Sequence, residues 1–143
     1  MKILILGAGQ VGSTLAKYLC LDDDNDITIV DQKEDRLTPL QRHLDIKTVV
    51  GYGAYPSVLE KAGIKVMDMV IAVMGSDERN MVACRMAHTL YHVEKKIARI
   101  RTTEYLLRPE IFTNEALPID FLITPEILIT DYIIGIVEEP GAS

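Results

Sequence analysis

Lys2-Ile3-Leu4-Ile5-Leu6-Gly7-Ala8-Gly9-Gln10-Val11-Gly12, a helical run from Ser13 to Cys20, and Ile27-Thr28-Ile29-Val30-Asp31 make up the stretch that decides the fold. An apolar strand enters a G-x-G-x-x-G turn, a helix follows, and a second apolar strand ends in an acid. Each part has a physical job in a dinucleotide-binding turn. Gly7 lets the chain leave the strand sharply. Gly9, without a Cβ, lets a pyrophosphate approach the backbone. Gly12 lets the helix pack on the strand. The N–H groups that open the helix have no partner within it and lie at the positive end of its dipole. Asp31 stands 19 residues after Gly12, where this fold places the acid that grips a ribose diol. The context of strand, helix, second strand and terminal acid raises the motif above a set of turn glycines.

Outward from that stretch, short apolar strands alternate with amphipathic helices. Strands are expected at Lys2–Leu6, Ile27–Asp31, Lys47–Val50, Met69–Val73, Lys96–Ile100 and Asp120–Ile123. Helices are expected at Val11–Leu21, Glu34–Leu44, Pro56–Ala62, Asp77–His92, Glu104–Thr113 and Pro125–Glu138. The strands are nearly unbroken in Ile, Val and Leu, as strands covered on both faces are. The pattern predicts an α/β, Rossmann-like, doubly wound parallel six-stranded sheet of order 3-2-1-4-5-6. One domain over residues 1–143 fits the length, and no repeat or linker interrupts it.

Composition bounds the function. The chain is 48% apolar, carries a net charge of −6 and has a pI near 5.0. That balance argues against a nucleic-acid backbone or an anionic membrane surface as the main partner. No apolar run approaches the ~20 residues that span a bilayer, and no signal-peptide pattern opens the chain. Cys20 and Cys84 lie far apart and read as free thiols in a reducing compartment.

Ligands of such a sheet sit over the carboxyl ends of the strands where their order reverses. After the third strand comes Gly51-Tyr52-Gly53, whose glycines allow backbone close to an adenine or ribose, or simply a turn. After the fourth comes Met74-Gly75-Ser76-Asp77-Glu78-Arg79-Asn80, where capping accounts for Ser76, Asp77 and Glu78 but not for Asn80. Arg99 and Arg101 fall on one face of the fifth strand. An arginine there needs a partner, and either a bound phosphate or an internal acid would serve Arg99.

Three other patterns weigh less. His88 and His92 have an i, i+4 metal spacing but no third ligand nearby. Tyr91 and Lys95 match a dehydrogenase Y-x-x-x-K but straddle a helix end. Asp22-Asp23-Asp24-Asn25-Asp26 lacks the glycine and glutamate of a calcium loop. The last helix is apolar around most of its circumference. Ile129, Ile133, Ile136 and Val137 share one face, with Ile127 and Ile134 on another. Such a helix is expected to dock one face on its own lobe and the other on a second copy.

Taken together, Lys2–Gly12, Asp31…Arg36, Val50-Gly-Tyr-Gly53, Ser76-Asp-Glu-Arg-Asn80, Ala98-Arg-Ile-Arg101 and Ile119-Asp-Phe-Leu-Ile-Thr-Pro-Glu126 resemble the nucleotide-binding lobe of the regulators of potassium conductance. The resemblance covers essentially the whole chain. It implies a cytoplasmic regulatory subunit, peripheral to the inner membrane and not an enzyme, that gates a membrane-embedded bacterial potassium uptake transporter. Its lobes pair as homodimers and assemble into a ring. The ligand it implies is NAD(H), or ATP, ADP or AMP. Gly7, Ala8, Gly9, Gln10, Val11 and Gly12 would hold its phosphates. Asp31 and the adjoining Gln32 would take the ribose, and Arg36 would flank the adenine. Gly51, Tyr52, Gly53, Val73 and Met74 would line the pocket, with Asn80 and Arg99 nearer the phosphates. Tyr52 stands where the family often has Asp or His, and the end of the chain suggests a fragment of a longer protein. The alternative is a small NAD-dependent oxidoreductase domain without its substrate lobe. The length and the lack of a catalytic histidine grouping weigh against it, since hydride transfer needs proton-transfer groups beside the nicotinamide.

Overall fold

A computed structural model describes residues 1–124 and 129–138, with backbone alone for 129–132. The order is β1 (Lys2–Leu6), α1 (Gln10–Leu19), β2 (Asp26–Asp31), α2 (Glu34–His43), β3 (Lys47–Val50), α3 (Pro56–Lys61), β4 (Met69–Ala72), α4 (Asp77–Thr89), β5 (Lys95–Arg99), α5 (Thr103–Leu106), β6 (Phe121–Ile123) and α6 (Ile129–Glu138). The strands form one parallel sheet of order β3-β2-β1-β4-β5-β6, as the alternation of elements predicts.

Strand side chains alternate between two covered faces. Ile3, Ile5, Ile27, Ile29, Met69, Ile71, Ile97 and Ile123 point to the layer built by α1, α2 and α6. Leu4, Leu6, Val30, Val70, Ala72 and Ala98 meet Leu59 of α3 and Met81, Ala83, Cys84 and Ala87 of α4. Both faces are dry, which is why the strands read as continuous apolar runs. The chain order reverses between β1 and β4, so the carboxyl ends of β1, β2, β3 and β4 open on a common crevice.

Three helices differ from expectation. The Glu104–Thr113 helix stops after α5, and a separate 3-10 turn covers Pro109–Ile111. Pro109 cannot donate to the preceding turn and disfavours a helical residue before it; Arg108 has ψ 65. Helix α4 ends at Thr89, and His92 takes a left-handed φ of 53. His88 and His92 are thus not on one helical face. The expected start of the last helix at Pro125 and Glu126, with Ile127 and Leu128, lies outside the described residues, as do the side chains of Ile129 and Tyr132. Within α6, Ile133 is fully buried in the α1 layer, and Ile134, Ile136 and Val137 pack against the same layer. Ile134 therefore leans on its own lobe rather than standing wholly on an outer face.

Candidate functional site

A cleft of about 250 Å³ opens where the strand order reverses. It is lined by Gly7, Gly9, Val30, Asp31, Gln32, Arg36, Gly51, Tyr52, Gly53, Val73, Met74, Gly75, Arg79 and Arg99. Its floor follows from the glycine turn. Gly7 has φ +110, a conformation that costs a side-chain-bearing residue, and a Cβ there would stand 2.8 Å from the Val73 carbonyl oxygen. Its own N–H donates to the Val30 carbonyl at 2.8 Å. Gly12 packs against that turn. By contrast, a Cβ on Gly9 would meet nothing within 4 Å. Gly9 is the N-cap of α1, and no side chain caps the helix. Gly9 lines the cleft, so the opening N–H groups of α1 that follow it begin at the cleft edge with no side-chain cap, an arrangement suited to an anion.

Asp31 forms one side. It is 7% exposed. One carboxylate oxygen accepts from Ala8 N–H and the other from Lys33 N–H, each at 2.8 Å. Each oxygen keeps a lone pair for a further donor. Arg36 Nη1 stands 3.7 Å away, its side chain 46% exposed. At that exposure the ion pair adds little to stability, and the guanidinium is free to turn to a ligand.

The glycines of the β3–α3 turn have a second explanation. A Cβ on Gly53 would fall 3.1 Å from Leu6 Cβ and 3.2 Å from Met74 Sδ, and one on Gly51 2.7 Å from Val58 Cγ2. Packing within the chain already demands small residues there, besides any need for a ligand to come close.

The opposite wall comes from the ends of β4 and β5. Arg99 Nη2 donates to the carbonyls of Val73 at 3.2 Å and Met74 at 3.0 Å, while Nε is buried with no hydrogen-bond partner among the described residues. Burial, with Arg101 as a second cause, lowers the Arg99 pKa. Neither of the partners expected for Arg99, a phosphate or an acid, is needed to hold its guanidinium in place, since backbone carbonyls do so. Arg101 leaves the strand and donates to the Gly75 carbonyl at 2.9 Å.

Asn80 does not line the cleft. It is fully buried, and its amide spans Met74 N–H (2.8 Å), Met74 O (3.2 Å) and Arg99 O (2.8 Å). It braces the wall from behind: the residue expected nearer the phosphates has its side-chain amide bonded to the backbone of the wall. Asp77 also does more than suit a helix start. It is 6% exposed and accepts from the N–H groups of Arg101 and Thr102. Burial alone would raise its pKa, but a hydrogen bond with the Thr102 side chain, the two backbone bonds and the Arg101 charge bring it below the usual value. Ser76 does cap α4, accepting from Arg79 N–H at 3.3 Å.

Ala8, Gln10, Val11 and Gly12 also lie outside the lining. Ala8 and Gly12 are buried, Val11 is half-buried and Gln10 is exposed. Sequence reading passed over Arg79, Gly75 and Val30. The signal for Arg79 was its place in the first turn of the helix after β4, beside the crevice.

The weaker motifs resolve into structure. Tyr91 donates to Glu60 Oε2 at 2.8 Å and does not line the cleft. Among the described residues no group of His, Cys, Asp and Glu is placed to hold a metal. The Asp22–Asp26 turn accepts the chain's amino terminus through the Asp24 carbonyl at 2.8 Å. Cys20 and Cys84 are free, and burial pushes the Cys84 thiol up to about 12.

The chain is 56% identical over 142 residues to the Trk system potassium uptake protein TrkA of Halomonas elongata, covering 99% of this chain and 31% of that protein. It is 50% identical over 143 residues to the protein of the same name from Vibrio alginolyticus, with the same 99% and 31% coverage. The chain thus spans about a third of the length of these relatives. Three solved structures share the fold. One is the TrkA-N domain of the inner membrane protein ybaL from Escherichia coli (TM-score 0.74, 18% identity, 95% of this chain and 96% of that one). Another is the Shewanella denitrificans Kef CTD in its AMP-bound form (0.71, 19%, 98% and 80%). The third is the GsuK channel bound to NAD (0.68, 20%, 99% and 24%). At these identities the structural likeness is one of fold alone. The TrkA-N domain family model matches residues 3–125.

Proposed function

The chain belongs to the TrkA-N domain family, and on that premise we propose that it is the nucleotide-binding regulatory lobe of a bacterial potassium uptake system. One observation carries the reading: an uncapped helix N-terminus and a nearly buried carboxylate share one cleft at the sheet's switch point. A dinucleotide needs both, one for its pyrophosphate and one for its adenosine ribose. The GsuK channel is bound to NAD and the Kef domain to AMP in their structures, which favours an adenine nucleotide: NAD(H), or ATP, ADP or AMP.

In this reading Gly7–Gly12 offer N–H groups to the phosphates, and the residual lone pairs of Asp31 accept from the ribose, with Gln32 beside it. Arg36 flanks the adenine. Gly51, Tyr52, Gly53, Val73 and Met74 form the walls, and Arg99 lies toward the phosphates. Asn80 acts by holding the Met74 and Arg99 backbones. The ligand bridges loops from four strands and so favours one arrangement of them. It can shift the lobe only by its difference in affinity between arrangements. That shift would pass to a membrane-embedded potassium transporter subunit at the cytoplasmic face of the inner membrane. No described helix is long and apolar enough to cross a membrane.

Calorimetric titration with NADH, ATP, ADP and AMP tests the reading; a folded protein that binds none of them overturns it. The bound cofactor should stabilise the fold by about 2.7 kcal/mol at a hundredfold excess over its dissociation constant. A screen of 2-hydroxy acids and aldehydes should show no steady NADH oxidation, because the described lining of the cleft holds no histidine or lysine to relay a proton. Sustained turnover would favour the oxidoreductase alternative.

The lobe is further proposed to pair as a homodimer within a ring. Ile134 and Val137 pack on the α1 layer yet also line a groove with Tyr18 and Leu21, which are 50% and 77% exposed. Clustered apolar surface of this kind favours a partner. Sedimentation equilibrium at micromolar concentration should report a dimer, and a clean monomer would contradict it.

A further inference from the structure

We propose that Arg79 is an anion-binding residue of the cleft and that Tyr52 holds it in position across the cleft mouth; this rests on the nucleotide reading above. Arg79 stands in the first turn of α4, on the β4 side, and Tyr52 in the turn after β3, on the other side. The two meet over the crevice. The Arg79 guanidinium carbon lies 5.1 Å from the centroid of the Tyr52 ring, within cation–π range. Tyr55 in turn supports Tyr52, their ring centroids 5.2 Å apart at 38°. Both Arg79 and Tyr52 line the cleft.

The charge arrangement says what such a pair is for. In a chain of net charge −6, the cleft gathers Arg36, Arg79 and Arg99 against the single carboxylate of Asp31. Arg36 sits beside Asp31, and Arg99 spends Nη2 on backbone carbonyls. The Arg79 guanidinium stands over an aromatic face, which supplies attraction but accepts few of its five donors. Its fork is thus available for two oxygens of a phosphate, the geometry a guanidinium matches best. Stacking on Tyr52 limits the rotamers of a long side chain before the ligand arrives, which lowers the ordering cost of binding. The group recognised is a phosphate of an adenine nucleotide. The aromatic residue at position 52 gives the arginine its platform.

Titrating wild type, Arg79→Gln, Tyr52→Phe and Tyr52→Leu with ADP and with adenosine tests this, with thermal melts of the free proteins confirming that each is folded. Arg79→Gln should weaken ADP by about ten- to a hundredfold, the loss of charge-assisted bonds, and leave adenosine unchanged. Tyr52→Phe keeps the ring and should bind both as wild type does. Tyr52→Leu should weaken ADP several-fold more than it weakens adenosine. If Arg79→Gln binds ADP as wild type does, Arg79 is not a ligand. If Tyr52→Leu weakens both ligands equally, Tyr52 is a base platform rather than a positioning residue for Arg79. Wild type that binds NADH but neither ADP nor adenosine overturns the Arg79 subsite alone; wild type that binds none of NADH, ATP, ADP and AMP removes the nucleotide reading itself, an outcome distinct from either.

Discussion

Replacing Asp31 by alanine is expected to weaken NADH binding by at least about a hundredfold, since a carboxylate accepting from two hydroxyls makes charge-assisted bonds worth roughly 1.5–3 kcal/mol each. The geometry explains why the loss should be large. Asp31 is fixed by Ala8 N–H and Lys33 N–H, so its free lone pairs are already aimed and little ordering is needed. Its 7% exposure keeps water from competing fully. The Ala8 bond also ties the acid to the glycine turn, so part of the loss would come through the phosphate end. Asp31→Asn separates the two contributions. It keeps the shape and one acceptor but loses the charge, and it should fall between wild type and alanine. The same negative charge disfavours a 2′-phosphate, while Arg36 at 3.7 Å would attract one. The buried and doubly bonded carboxylate should prevail over a side chain 46% exposed. Wild type is therefore expected to prefer NADH to NADPH. Equal affinities in a calorimetric titration would show that Arg36 sets the specificity instead.

Much of this was legible because the strongest constraints are local. Strand–glycine turn–helix–strand–acid is a continuous stretch, and the doubly covered sheet writes itself as unbroken apolar runs at β1, β2 and β4. What stayed hidden depends on distant partners. Asn80 looks like a ligand-facing polar residue, but its amide is spent on the Met74 and Arg99 backbones. Only the third dimension brings those groups together. Lys96, next to Lys95 at the start of β5, is 3% exposed because the Val93 and Glu94 carbonyls and Asp120 surround its ammonium. The glycines at 51 and 53 could be read equally as a turn or as a ligand wall, and side chains of Val58, Leu6 and Met74 show that packing already requires them. Arg79 was passed over because its partner, Tyr52, lies 27 positions earlier, at the end of another strand.

Gly9→Ala and Gly12→Ala are expected to fail in opposite ways, though both remove a glycine from one turn. A Cβ on Gly12 would stand 1.7 Å from the Gly7 carbonyl oxygen and 3.3 Å from Val73 Cγ2. The carbonyl cannot retreat cheaply, because Gly7 is held at φ +110 and its N–H is bonded to Val30 O. Helix α1 must then lift from the sheet and open the layer of Leu15, Ala16 and Leu19. The cost should reach at least about 3 kcal/mol, the upper end of overpacking. For a domain of this size that lowers the melting temperature by about 10 °C. Gly9 has φ −72, which alanine adopts freely, and its Cβ would meet nothing within 4 Å. Alanine is a poorer N-cap than glycine, but by no more than about 1 kcal/mol, so the fold should survive. The added methyl instead stands where the phosphates would approach the opening N–H groups of α1, and NADH affinity should fall by at least about tenfold, a loss of roughly 1.4 kcal/mol. Melting curves and calorimetry on the two variants separate the cases. If Gly9→Ala binds NADH as wild type does, the phosphates do not rest on the glycine turn, and the helix N-terminus loses its assigned role.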